Sequence, residues 1–335
     1  MSHSSSILQD QINLQKLSSH VYTVSWHADW TIGFVLHGGC IAAAIHHAAT
    51  THLATEPALV ARNQPDLLTL HFEFLRPCEA RESTITVTDL KIGARASTLQ
   101  LQLSQNGKTK VLALATSTNM DSPGPTVATA WHLRPPPAPT PDFEAVLAHK
   151  PDAHWLPGHL TSEVFPLTRR FLYLYPREGF PIESITDAWS SFQDDERVDA
   201  TYLTMMTDVV GSTSDTLLRN GGLYDTHRWF ALIESWAREH PGIPCELTNS
   251  LQEAMQATEY NNTVTLDVEF KRRLPKEGLQ WIFQRGESRM LENGRMDLEV
   301  TICDQDMNLL CIGRQTILVL EAGRKFKPRK GNAAL

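Results

Sequence analysis

Four places in this 335-residue chain carry side chains that could do chemistry. Asp208 sits in an apolar, helix-like run, Met205-Met-Thr-Asp-Val-Val210. Burying a carboxylate is costly unless it is paired or neutralised, so a buried one is ready to accept a proton. It could instead lie on an exposed stripe or hydrogen-bond Thr204. Thr265 and Asp267 stand on the polar parity of a strand, where a hydroxyl can orient water or merely face solvent. Gln315 is an amide inside the otherwise apolar run Cys311-Ile-Gly-Arg-Gln-Thr-Ile-Leu318, although an edge or outward position would explain it too. Leu36-His-Gly-Gly-Cys40 opens an apolar helix. Glycines let a ligand approach the backbone, and the free amides of a helix start suit a developing oxyanion. The same step could be a plain turn, with His37 an ordinary helix-start histidine.

Composition argues against several other chemistries. Lys and Arg number 30 and Asp and Glu 38, a net charge of −8, which disfavours a broad nucleic-acid surface. No run approaches the ~18 apolar residues of a membrane span. Cys40, Cys78, Cys245, Cys303 and Cys311 have neither zinc-ligand nor redox spacing. His46-His47 and His52 share a helix, but no acidic or cysteine partner is spaced with them, so no metal or other cofactor is expected. There is no Gly-x-Ser-x-Gly elbow, no P-loop and no Gly-x-Gly-x-x-Gly. Met1-Ser-His-Ser-Ser-Ser lacks the basic region and apolar core of a signal peptide, so the expected compartment is the reducing cytoplasm.

The elements that must position these residues come in two matching sets. In Leu68-Thr-Leu-His-Phe-Glu-Phe74 apolar residues alternate with others, and Val264, Leu266, Val268 and Phe270 do the same later. Period two means a strand with one buried face. A proline ends each run, Pro77 and Pro275. A polar turn follows 28 residues after the first (77 to 105) and 29 after the second (275 to 304). The first turn, Gln105-Asn-Gly107, favours a tight hairpin. One apolar helix precedes each set: Gly39 to Ala49, rich in small residues, and roughly Asp199 to Leu218. A repeated order of helix and long strands predicts an α+β double hotdog: two tandem units, each a long antiparallel sheet wrapped around one helix. The proline-rich stretch around Arg134-Pro-Pro-Pro-Ala-Pro-Thr-Pro141 reads as a linker. The expected organisation is an N-terminal hotdog over 1–120, a linker over 121–165, a C-terminal hotdog over 166–322 and a basic tail over 323–335. A helical insertion over about 211–262 carries two helix-like runs, Trp229 to Glu239 and Asn249 to Thr258.

From about Val21 to Leu320 the chain resembles the acyl-CoA thioesterase II family and its wider double-hotdog group. Leu36-His-Gly-Gly-Cys40 is similar to the family's Phe-Gly-Gly-Gln step, Phe74-Leu-Arg-Pro77 matches its Phe-Leu-Arg-Pro strand end, and Gln105-Asn-Gly-Lys108 matches its hairpin turn. The resemblance places the family's catalytic aspartate at Asp208, its threonine at Thr265, two residues before Asp267, and its glutamine at Gln315, with Trp281 between the last two. After Asp267 the chain departs, reading Val-Glu-Phe-Lys-Arg-Arg-Leu-Pro275 where the family tends to read His-Ser-Met-Trp-Phe-His-Arg-Pro. The implied activity is hydrolysis of an acyl-CoA or acyl-carrier thioester, with no covalent intermediate. Asp208 would act as base, Thr265 and Gln315 would orient the water, and amides near Gly38 and Gly39, with His37 beside them, would meet the oxyanion. Arg76, Arg272 or Arg273 could meet the phosphates of coenzyme A. Two other readings stay open: another hotdog enzyme (a hydratase, dehydratase or biosynthetic acyl-transfer catalyst), and a non-catalytic acyl-binding double hotdog. A monomer and a homo-oligomer are both allowed. The end, Asn332-Ala-Ala-Leu335, does not match the peroxisomal Ser-Lys-Leu signal of some members.

Overall fold

A computed structural model describes residues 7–211, 213–218, 226–254 and 256–321. The first half contributes β1 (Val21–Val24), α1 (Gly38–Thr55), β2 (Asp66–Phe74), β3 (Ser83–Ile92), β4 (Ser97–Gln105) and β5 (Lys108–Thr118). The second contributes β6 (Trp155–Ser162), β7 (Phe171–Pro176), β8 (Ile185–Phe192), α2 (Ala200–Met206), β9 (Cys245–Asn249), β10 (Glu259–Phe270), β11 (Trp281–Glu287), β12 (Arg295–Cys303) and β13 (Leu309–Glu321). These strands form one continuous sheet in the order β1-β3-β4-β5-β2-β10-β13-β12-β11-β8-β7-β6-β9, with a short strand, Gln15–Ser18, beyond β1. Outward from the β2–β10 junction the order is β5-β4-β3-β1 one way and β13-β12-β11-β8 the other. The two directions are equivalent, so the fold is a double hotdog whose halves share one sheet.

The junction is antiparallel, with Thr69–Glu73 of β2 opposite Thr265–Glu269 of β10. Across it His71 Nδ1 lies 2.7 Å from Asp267 Oδ1, and Arg273 donates to both Asp66 oxygens at 2.6 Å. Inside, α1 is buried along nearly its whole length, including Cys40, Ile41, Ala42, Ala43, Ala44 and Ile45. Its small side chains let the sheet and α2 close around it. Thr201 of α2 lies 3.2 Å from His46 of α1 through Oγ1 and Nδ1. The Asn106-Gly107 turn takes positive φ at both residues, 51° and 69°, which suits a two-residue hairpin.

Three expectations need correction. The second central helix ends at Met206, and a separate helix spans Thr213–Leu218, so Asp208 lies in the break between them. The stretch 121–165 is not all linker: it holds a short helix, Phe143–Leu147, and β6, which pairs with β7. Pro157 and Gly158 disguise this strand in the sequence, yet its pattern is buried almost throughout. In the insertion, the helix Thr226–Glu239 matches one expected helix. The run Asn249 to Thr258 does not: Cys245–Asn249 is β9, among the described residues only Leu251–Ala254 is helical, and β10 already starts at Glu259. The tail 323–335 lies outside the described residues. No described helix is long and apolar enough to cross a membrane.

Candidate active site

The N-terminus of α1 meets the C-terminal end of α2 at the seam between the halves. His37 is the N-cap of α1, and its Nδ1 accepts the Gly39 N–H at 3.1 Å. Asp208 follows α2 by two residues, and its Oδ2 accepts the same N–H at 2.7 Å. The positive end of a helix is a natural seat for a carboxylate. His37 Nδ1 stands 3.5 Å from Asp208 Oδ2, with both side chains about one-tenth exposed. The His37 ring stacks on Phe165, with centroids 4.3 Å apart.

The two glycines are explained by this approach. A Cβ on Gly38 would lie 2.8 Å from Asp208 Oδ2. One on Gly39 would lie 2.6 Å from the Met205 carbonyl and 3.0 Å from Asp208 Cβ. Any larger residue would push the Asp208 loop away. Gly313 of β13 plays the same part on the sheet side, since a Cβ there would lie 2.7 Å from Thr207 Cβ.

Two buried glutamines hold the loop from the sheet. The last carbonyls of a helix need partners. Gln284 Nε2 donates to the Met206 and Val209 carbonyls at 2.8 and 3.1 Å. Gln315 Nε2 donates to the Thr207 carbonyl at 3.0 Å. Gln315 Oε1 accepts the Thr263 hydroxyl at 2.9 Å. Among the described residues the other Asp208 oxygen, Oδ1, has no hydrogen-bond partner.

Burial dominates the titration of the neighbours. It lowers the His37 pKa against the opposing pull of Asp208, so the ring is neutral near pH 7. It raises the Cys40 thiol well above its ordinary value, and Asp208 adds to that. Cys40 is therefore a thiol rather than a nucleophilic thiolate.

The site thus joins a carboxylate, a helix start and a neutral histidine across two half-domains, a set suited to attack of water on a carbonyl. A family model for the acyl-CoA thioesterase N-terminal domain matches residues 26–120, and one for the C-terminal domain matches residues 144–319. The chain belongs to the acyl-CoA thioesterase family. This thioesterase is 27% identical to the thioesterase-like protein TwmA of Talaromyces wortmannii, over 98% of its own length and 96% of the relative's. Its fold is shared with two bacterial crystal structures. A hot dog fold protein of Alicyclobacillus acidocaldarius aligns with TM-score 0.64 at 14% identity, covering 95% of this chain and 99% of that one. The acyl-CoA thioesterase II TesB2 of Mycobacterium marinum aligns with TM-score 0.59 at 18% identity, covering 97% and 99%.

Within the thioesterase, His37, Gly38, Gly39 and Asp208 come together, and Gln315 reaches the residue next to Asp208. Thr265 does not join them. A bulge between Thr263 and Thr265 shifts the register of β10 against β13. Thr265 then stands opposite Thr316 and Glu73 on the outer face, while Leu266 stands opposite Gln315 on the inner one. Thr263 takes the place beside Gln315. The Gly39 amide is also not open to an oxyanion, because Asp208 and His37 already share it. Arg273 is committed to Asp66 and Asp121, and Arg76 donates to the Thr109 carbonyl. Trp281 is buried in a separate cluster against Phe143. Sequence reading missed Thr263 and Gln284. Gln284 carried the same signal as Gln315, an amide in an apolar strand; Thr263 carried none.

Proposed function

We propose that Asp208 is the general base of thioester hydrolysis and that Gln315 and Thr263 hold it in register. The observation that carries this is the Asp208 carboxylate seated at the start of α1 by the Gly39 N–H. Its Oδ1 takes a proton from water as the water oxygen bonds to the thioester carbon. The carbonyl oxygen becomes an oxyanion, met by the first-turn N–H groups that Asp208 leaves, those of Gly38 and Cys40. Collapse breaks the carbon–sulfur bond, and the departing sulfur takes the proton back from Asp208. The products are a carboxylic acid and a free thiol. Each polar atom of Gln315 makes one bond, so one N–H and one lone pair remain to orient the water. Neutral Cys40 argues against an acyl-enzyme at that position. Arg272, unlike Arg273, has no acidic partner among the described residues and suits the phosphates of a coenzyme A thioester.

Thiol release from a panel of acyl-CoAs, compared between wild type and Asp208→Asn, tests the reading. A general base contributes roughly 10²–10⁴-fold, so turnover should fall by that order with the fold intact. Equal turnover in both proteins would remove Asp208 from the chemistry. Thiol release only from acyl-carrier substrates would keep the mechanism and replace coenzyme A as the carrier.

A further inference from the structure

We infer that His20, His52 and Asp89 form a divalent metal site at the opposite end of α1 from the thioester chemistry. One ligand atom from each lies within 4.8 Å of the others. His52 Nε2 is 3.0 Å from Asp89 Oδ1, and His20 Nε2 is 3.2 Å from Asp89 Oδ2. The three come from different elements. His52 is on the last turns of α1, Asp89 is on β3, and His20 is in the turn before β1. His52 lies 14 residues after Gly38 (52 − 38), about 20 Å along the helix at ~1.5 Å per residue. The cluster is therefore separate from Asp208.

The outer nitrogens have partners that suit either tautomer, so they are compatible with a metal site as well as with a hydrogen-bonded trio. His52 Nδ1 is 3.0 Å from the Tyr22 hydroxyl, and His20 Nδ1 is 2.9 Å from the Ser19 hydroxyl. A hydroxyl can accept as well as donate, so each imidazole can carry its proton on Nδ1. Both Nε2 lone pairs are then free beside one carboxylate. Outer hydrogen bonds of this kind orient histidine ligands in protein metal sites. The groups around the cluster add charge of both signs: Glu56 acts on His52 as a second anion, while the Lys16 ammonium is held by Thr55 and lies over the Tyr22 ring. His52 is fully buried and His20 about one-third exposed, which leaves a solvent side for water ligands. Two imidazoles and a carboxylate suit Zn²⁺ and similar first-row ions with water completing the shell. Bound there, the ion ties the N-terminal ribbon and β3 to the end of the central helix.

The test uses the full chain after treatment with EDTA and dialysis. Titration with ZnCl₂, followed by calorimetry and by melting temperature, should show one tight equivalent and a raised Tm. His20→Ala removes the most exposed ligand and should fold normally; it should weaken that equivalent about tenfold or more and shrink the Tm rise accordingly. Tyr22→Phe keeps all three ligands and should weaken binding by about 10- to 100-fold through the outer bond alone. Asp89→Asn serves as the check on the carboxylate and should match His20→Ala. No stoichiometric Zn²⁺ binding by wild type, or unchanged binding in both His20→Ala and Asp89→Asn, would overturn the site.

Discussion

The carboxylate of Asp208 lies 2.7 Å from the backbone nitrogen of Gly39, across 169 residues of sequence. This one bond joins the end of one hotdog helix to the start of the other. In the proposed mechanism each half therefore supplies part of one site. The bond also makes the glycines of the first half depend on a loop in the second.

Gly39→Ala tests that dependence. The new methyl would meet the Met205 carbonyl, Asp208 Cβ and His37 Nδ1 within 3.2 Å, and backbone cannot give way cheaply. Overpacking of this kind costs about 1–3 kcal/mol. Thiol release should drop sharply and Tm should fall. Gly124→Ala has nothing within 4 Å and should leave both unchanged. Full activity in Gly39→Ala would mean that the two helix ends are not held this closely in solution.

The threonines separate two registers of β10. Thr263→Val removes the hydroxyl on Gln315 while keeping the shape. A lost hydrogen bond is worth about 1 kcal/mol, so kcat should fall by roughly five- to tenfold. Thr265→Val should leave kcat near wild type, because Thr265 faces outward beside Thr316 and Glu73. The reverse pattern, with Thr265→Val the damaged enzyme, would place the bulge elsewhere and return the role to Thr265.

That pair also shows what was legible in the sequence and what was not. Strict alternation through Val264, Leu266, Val268 and Phe270 gave the correct inner face for the last three, which are buried. It could not show the bulge, because one extra residue flips the face of everything before it without changing composition. The repeated helix and strand order carried the double hotdog, and the Leu36-His-Gly-Gly-Cys40 step carried the helix start. The end of α2 was hidden because its partners, Gln284 and Gln315, lie on strands far along the chain. β6 was hidden by its own Pro157 and Gly158, residues that normally mark loops.

Four histidines of the first half make stability depend on pH. Burial lowers the pKa values of His37, His47 and His52, for His52 against the opposing pull of Asp89, and holds His46 at about 3. In the unfolded chain each titrates near 6.5. Below pH 6.5 the unfolded state therefore binds more protons, and stability falls as pH falls. Each group that stays neutral costs about 1.4 kcal/mol per pH unit in that window. His71 has the opposite sign: its raised pKa, opposed by burial but favoured by Asp267 and Glu73, stabilises the acid side. It is over one-third exposed, so screening keeps its share small. Tm should be flat from pH 8 to about 7 and decline toward pH 5, with a shallower decline in His46→Gln. A Tm that rises toward pH 5 would contradict the burial of these rings.

The outer face of the second half offers a sharper test of packing. Arg285 and Asp187 sit directly opposite each other on β11 and β8, and both side chains are 2% exposed. Arg285 donates from Nε and Nη2 to the two Asp187 oxygens at 2.7 and 2.6 Å, and from Nη1 to the Pro135 carbonyl at 2.6 Å. The pair therefore pins the proline-rich segment onto the sheet, beside the cluster where Phe143 packs on Trp189 and Trp281. Burial raises the Asp187 pKa in spite of Arg285, so the carboxylate depends strongly on its partner. Arg285→Met leaves that carboxylate buried and unpaired and frees the Pro135 carbonyl as well. The expected loss is about 3–5 kcal/mol, read from urea unfolding. Asp187→Leu combined with Arg285→Met removes both charges and should recover most of it, because desolvation of the pair is removed along with its attraction. Thiol release by the folded double variant should equal wild type, since the pair lies on the outer face of the sheet and Asp208 at the inner helix seam. A single variant as stable as wild type would show that water reaches Asp187, and that the segment from Pro135 to Phe143 does not seal this face.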